Sequence, residues 1–124
     1  MKMMKNKTHN DFEYLFFLQS HFQKLLGNEV PSDNPEMMAH HLLGLITEIG
    51  EVAQADKRWK KNKRNDHYDR ENKIEEIADV AIFLINICLF SNFDADELYD
   101  AIESKIRINI DRLKDKEKND DHNS

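Results

Sequence analysis

Turn-forming residues are scarce in this chain, with three glycines and two prolines among 124 residues. No segment alternates β-branched with polar residues, so both the punctuation and the patterning that hairpins and sheets need are missing. An all-α fold is expected. Cysteine is nearly absent too: Cys88 stands alone, which excludes an intrachain disulfide, and its place in the apolar run Val80 to Phe90 suits packing more than reactivity. A cytoplasmic location is the default expectation. That run is the longest nearly apolar stretch and falls far short of the ~20 residues of a membrane span. Met1 to Thr8 is basic with no apolar segment behind it, so neither export nor membrane insertion is expected. Excess positive charge is also lacking. Against 18 Lys and Arg stand 24 Asp and Glu, a formal charge of −6, which makes a nucleic acid an unfavourable partner for the molecule as a whole.

What is present is helical periodicity. Hydrophobic residues make up 40% of the chain, enough for one compact core and too little for two. Phe12, Leu15, Phe16, Gln19, Phe22 and Leu25 recur at helical spacing in a first helix from about Asn10 to Leu26, which Gly27-Asn28 should stop. The stripe Phe12, Phe16, Phe22 is expected in the core or at a subunit interface. A second helix opens at Asn34-Pro35-Glu36, carries Leu42, Leu45, Ile46, Ile49 and Val52, and should fade between Trp59 and Lys63. Lys60 to Arg70 has almost nothing to bury and is expected as a solvated loop or frayed end. The third helix, Arg70 to Phe90, is apolar on most sides, which suits a central position. The fourth follows the capping sequence Ser91-Asn92-Phe93-Asp94 and carries Leu98, Ala101, Ile102, Ile106, Ile110 and Leu113. Four helices with short loops make a four-helix bundle the simplest architecture. A single domain over 1–113 is expected, with a disordered polar tail over 114–124.

Carboxylates sit on these helices where apolar residues would be expected. Glu48 and Glu51 are three positions apart in Thr47-Glu48-Ile49-Gly50-Glu51-Val52-Ala53, so they lie about 60° apart and about 4.5 Å along the axis. Glu76 and Asp79 repeat the arrangement, and Asp79 is flanked by Ala78, Val80, Ala81 and Ile82. Like-charged pairs beside a core need cations, protons or basic partners. Hard oxygen donors from facing helices are what Mg²⁺ or Mn²⁺ selects, with water and phosphate completing the octahedron. Exposed acidic pairs on amphipathic helices are the bland alternative for either pair alone. A di-iron site would want Glu-x-x-His, and neither pair contains histidine. His41 lies about two turns before Glu48, and His40 and His41 read better as surface or hydrogen-bonded core residues than as ligands.

With these motifs the chain resembles the MazG-like all-α nucleoside triphosphate pyrophosphohydrolase superfamily, which includes dimeric dUTPases, dCTP pyrophosphatases and phosphoribosyl-ATP pyrophosphohydrolases. The shared pattern is E-x-x-E, a spacer, then E-x-x-D, here Glu48-Ile-Gly-Glu51, 24 residues, and Glu76-Ile-Ala-Asp79. Lys105-Ile-Arg-Ile-Asn109-Ile-Asp-Arg112 is similar to the family's K-x-x-x-N-x-x-R signature. The resemblance implies that Glu48, Glu51, Glu76 and Asp79 bind Mg²⁺, with Mn²⁺ a possible substitute. Glu48 and Glu51 would be the catalytic carboxylates, and Lys105, Asn109 and Arg112 would contact phosphates or sugar. Spacing agrees, since these three fall at i, i+4 and i+7 on one helix face.

Lys57 to Arg64 holds six cations around the only tryptophan. Lys60 and its neighbours would steer the anionic substrate while Trp59 stacks on the base. A solvated helix end, with Trp59 on a neighbouring subunit, fits that composition equally well. No aromatic and histidine box of the dCTP-cleaving type occurs in Gly27 to Asn34. The implied reaction is metal-dependent conversion of a (d)NTP to the monophosphate and pyrophosphate, a nucleotide-pool house-cleaning activity, in a homodimer or homotetramer. The competing expectation is a non-enzymatic helical bundle that uses 57–64 to bind a partner.

Overall fold

The computed structural model describes residues 9–32, 34–57 and 69–122. They form α1 (His9–Leu25), α2 (Pro35–Ala55), α3 (Arg70–Phe90) and α4 (Ala95–His122), with no strand among the described residues. The all-α expectation holds, and four of the helix starts and stops follow directly from their capping residues. Gly27 takes φ +87° and its N–H donates to the Lys24 carbonyl at 2.9 Å, while the Asn28 N–H reaches Gln23 at 3.0 Å and closes α1. Asn34 caps α2 by accepting from the Glu36 and Met37 N–H groups, with Pro35 in the first helical turn. Asp69 caps α3 from Asn72 N–H at 3.1 Å. Between α3 and α4, Asn92 adopts φ +63°, a conformation asparagine tolerates better than most residues. A reciprocal box then starts α4: Asp94 Oδ1 accepts from Glu97 N–H at 2.8 Å and Glu97 Oε1 from Asp94 N–H at 3.3 Å.

Two expectations on helix length change. α2 ends at Ala55 rather than between Trp59 and Lys63, because Asp56 leaves helical geometry (φ −137°, ψ 97°) and its carboxylate takes the Lys73 ammonium of α3 at 3.1 Å. Trp59, Lys60 and the rest of the basic segment beyond Lys57 lie outside the described residues. α4, expected to stop at Leu113, continues to His122. Lys and Glu in this stretch are good helix formers and extend the helix without an apolar stripe.

α2 and α3 form the most extensive pair and run antiparallel, with Asp56 meeting Lys73 at one end and His41 stacked 4.6 Å from Phe90 at the other. Their close approach centres on Gly44, where a Cβ would fall on the Phe83 ring. α1 packs on both α3 and α4. Phe16, Ile85 and Ala95 bring these three helices together, and Phe12, Cys88, Leu89 and Leu98 pack around them. Beside this core, Asn86 Oδ1 accepts from Gln19 at 2.8 Å and from Gln23 at 3.1 Å, so its buried amide is paired across α1 and α3.

The core is small. Phe22, placed in the apolar stripe of α1, is 51% exposed, and the α3 residues Ile74 and Leu84 are open as well, so α3 is less enclosed than its composition suggests. His41 is buried at 4% exposure, and neither ring nitrogen is hydrogen-bonded among the described residues, which corrects the surface or hydrogen-bonded role expected for it.

Two predictions follow from this packing. Helix propensity alone favours alanine over glycine by about 1 kcal/mol, so Gly50→Ala, whose Cβ meets nothing within 4 Å, raises the melting temperature. Gly44→Ala lowers it, because overpacking against Phe83 costs about 1–3 kcal/mol and outweighs that gain. Thermal melts of both variants against wild type give the two signs. Burial first, then the nearby His40, lowers the His41 pKa below its ordinary 6.5. The unfolded chain therefore takes up this proton before the folded one does. Stability is full above about pH 6.5 and is lost as pH falls through that value towards the folded pKa. His41→Phe should flatten this acid limb in melting curves recorded as a function of pH; an unchanged limb would assign it to other groups.

Candidate metal centre

Antiparallel pairing of α2 and α3 sets one turn of each helix opposite the other. Glu48 comes from α2, and Glu76 and Asp79, one turn apart on α3, come from the facing side. One carboxylate oxygen from each residue lies within 4.8 Å of the other two. The sequence places these groups there for a simple reason. In both helices the acidic residues sit at i, i+3 among small and branched residues, so the faces that pair the helices carry the carboxylates into the seam.

The electrostatics follow from that placement. Lost hydration raises the Glu76 pKa, and the charges of Asp79, Glu51, Glu48 and Glu75 push it in the same direction. Five carboxylates thus share one short stretch of two helices. Lys73 pairs with Asp56 and Arg107 with Glu103, and neither ion pair involves the three converging carboxylates. Like charges this close favour a proton or a cation between them. Three hard oxygen donors with room for water suit a divalent ion such as Mg²⁺ or Mn²⁺.

The structure brings together Glu48, Glu76 and Asp79, and leaves Glu51 outside that group while within electrostatic reach of Glu76. Lys105, Asn109 and Arg112 stand exposed on α4, whose most extensive helix contact is with α1. Within one chain they make no hydrogen bond or ion pair with the acidic group. Trp59 and Lys60 fall outside the described residues, and His41 is held among Phe83 and Phe90 away from the carboxylates.

Sequence reasoning missed two features. Lys73 pairs with Asp56 in the same seam, one turn before Glu76, and the only signal for it was a lysine in the opening turn of α3. The amide group Gln19, Gln23, Asn86 was signalled by a polar residue inside an otherwise apolar run, Ile85-Asn86-Ile87.

Comparison with known proteins gives a further finding: a model of the dUTPase family matches residues 11–115, a span that includes the acidic seam and the Lys105 to Arg112 face. No curated protein matches the chain. By the extent of that match, and with the four-helix architecture it accompanies, the chain belongs to the dUTPase family, hydrolases of nucleoside triphosphates within the all-α MazG-like superfamily.

Proposed function

We propose that this protein is a Mg²⁺-dependent nucleoside triphosphate pyrophosphohydrolase that converts dUTP and related (d)NTPs to the monophosphate and pyrophosphate. The observation that carries this reading is the convergence of Glu48, Glu76 and Asp79 across two helices with no cationic partner among the described residues. Family membership supports the choice of dUTP.

Glu48, Glu76 and Asp79 are the residues that would hold Mg²⁺, with Mn²⁺ as a substitute. When bound, the ion neutralises triphosphate charge and lowers the cost of charge build-up on the phosphoryl oxygens. The chain's own groups do the rest. Glu51, one turn from Glu48 and outside the three ligands, accepts the proton of the attacking water, and Glu48 orients that water from the ligand side. The new bond joins the water oxygen to phosphorus, the α–β bridging bond breaks, and pyrophosphate leaves with the electron pair. Lys105 and Arg112 bind phosphate oxygens, Arg112 as a planar fork, and Asn109 takes the sugar or a phosphate edge. Trp59 stacks on the base while Lys60 draws the anion in.

A homodimer or homotetramer completes the fold, since Leu43, Ile46, Ile106 and Leu113 are each more than half exposed in the single chain. The role is nucleotide-pool house-cleaning in the cytoplasm. No helix among the described residues is long and apolar enough to cross a membrane.

The test is pyrophosphate release from a panel of (d)NTPs with and without Mg²⁺. Release should require the ion and be greatest with dUTP. Glu51→Gln should lower turnover by about 10²–10⁴-fold, the usual worth of a general base, and Glu48→Ala with Asp79→Ala should abolish it. A folded wild-type protein that releases pyrophosphate from no triphosphate would leave the interaction-module alternative standing instead.

A further inference from the structure

Of the two helices that form the acidic seam, α2 carries neither lysine nor arginine, and α3 carries Arg70 and Lys73. Lys73 is the nearer of these two cations to the carboxylates. It stands three positions before Glu76, so the two side chains leave neighbouring points of the helix surface, about 5–6 Å apart at Cβ. Its ammonium is nevertheless held elsewhere, 3.1 Å from Asp56 Oδ2 just beyond the end of α2. Lost hydration and then the charges of Asp79, Glu51, Glu48 and Glu75 raise the Glu76 pKa, with no opposing pull from Lys73. The seam thus has a cation at its edge that is engaged with another partner.

Helix stability does not account for this arrangement. Asp56 follows the last turn of α2, where the macrodipole favours a cation, and Lys73 closes the first turn of α3, where it favours an anion. Each charge stands at the wrong end of its helix. Nor is the pair sealed from solvent, since the Lys73 side chain is 30% exposed and water competes for its ammonium.

A lysine suits a pairing that is to be given up. Its stem is flexible, and an ammonium is a compact point charge that changes partners without the planar fit a guanidinium needs. The chemistry of the seam supplies the competitor. A divalent ion on Glu48, Glu76 and Asp79 answers the carboxylates, while the terminal phosphates of a triphosphate call for charged donors of their own.

We propose that Lys73 is a substrate-binding residue that exchanges Asp56 for the terminal phosphates of a nucleoside triphosphate entering the seam. The proposal rests on the hydrolase reading above for the identity of the ligand, and on the placement of Lys73 for its role. Asp56 holds the ammonium at the edge of the seam until a triphosphate competes for it, so the lysine stays close without neutralising the carboxylates that a metal ion needs. Parting from Asp56 subtracts from substrate affinity. A monophosphate has no terminal phosphates to offer in return and leaves the ion pair intact. Lys73 therefore favours the triphosphate over the monophosphate product.

Calorimetric binding of a dUTP analogue with an imido α–β bridge, measured in Mg²⁺ alongside dUMP, separates this role from a structural one. Lys73→Met should weaken the analogue about 10–100-fold, the contribution of one hydrogen bond to a charged group, and leave dUMP unchanged. Lys73→Arg should recover part of the loss. Asp56→Asn should tighten the analogue, because the ammonium no longer leaves a charged partner. An ion pair that only fastens the helices predicts the opposite sign for Asp56→Asn, so this variant decides the matter even where Lys73→Met disturbs the fold. Equal losses in Lys73→Met and Asp56→Asn, or a Lys73→Met protein that binds the analogue as wild type does, overturn the proposal alone. A folded wild type that binds Mn²⁺ but not the analogue overturns the hydrolase reading, and with it the ligand named here.

Discussion

Three carboxylates held within 4.8 Å of one another across the α2–α3 seam set the terms for the rest of this molecule. Bringing like charges together costs electrostatic energy, and lost hydration first, then the neighbouring carboxylates, push the Glu76 pKa up. The helices must therefore be pressed together by something else. Gly44 lets the Phe83 ring approach the α2 backbone, the Asp56–Lys73 ion pair fastens one end of the seam, and the stack of His41 on Phe90 fastens the other. With both ends fixed, the acidic residues between them cannot separate to relieve their repulsion. A divalent cation or a bound polyanion with its own counter-ions then becomes the natural relief. Strain of this kind, concentrated where chemistry is done, is common in binding sites.

A second constraint is the shortage of core. In the single chain Phe16, Ile85, Phe90 and Ala95 are the buried apolar residues among those described, while long stripes on α2, α3 and α4 face outward. Burial on this scale gives a small helical protein little stability of its own. The exposed stripes on α2, α3 and α4 are where further apolar burial would have to come from. The half-buried Gln19 and the buried amides Gln23 and Asn86 add direction to the small core, since their hydrogen bonds are met in only one registry of α1 against α3.

Much of this was legible in the sequence. The boundaries of α3 and the stops at Gly27 and Asn92 follow from capping chemistry that is local and therefore readable, and the acidic i, i+3 pairs announced the seam by their spacing alone. Non-local determinants were not readable. Where α2 ends depends on Asp56 finding Lys73 seventeen residues away, a partner that no local pattern reveals. Which of four carboxylates converge depends on the crossing of two helices, and that crossing leaves Glu51 outside the group. That His41 is buried without a hydrogen bond among the described residues could not be read locally, because its neighbours Phe83 and Phe90 are supplied by α3. The separation of Lys105, Asn109 and Arg112 from the seam was likewise hidden, since helical spacing shows which residues share a face and says nothing of what that face meets.

Direct titration with Mn²⁺, followed by the loss of the free-ion signal in electron paramagnetic resonance, tests the central claim about the seam without relying on turnover. Wild-type protein should quench the signal, Mg²⁺ should restore it by competition, and Glu76→Gln or Asp79→Asn should bind far more weakly while keeping the wild-type helical content. Mn²⁺ that stays free in the presence of folded wild-type protein, or that binds equally well to both variants, would contradict the assignment of Glu48, Glu76 and Asp79 as the ligands.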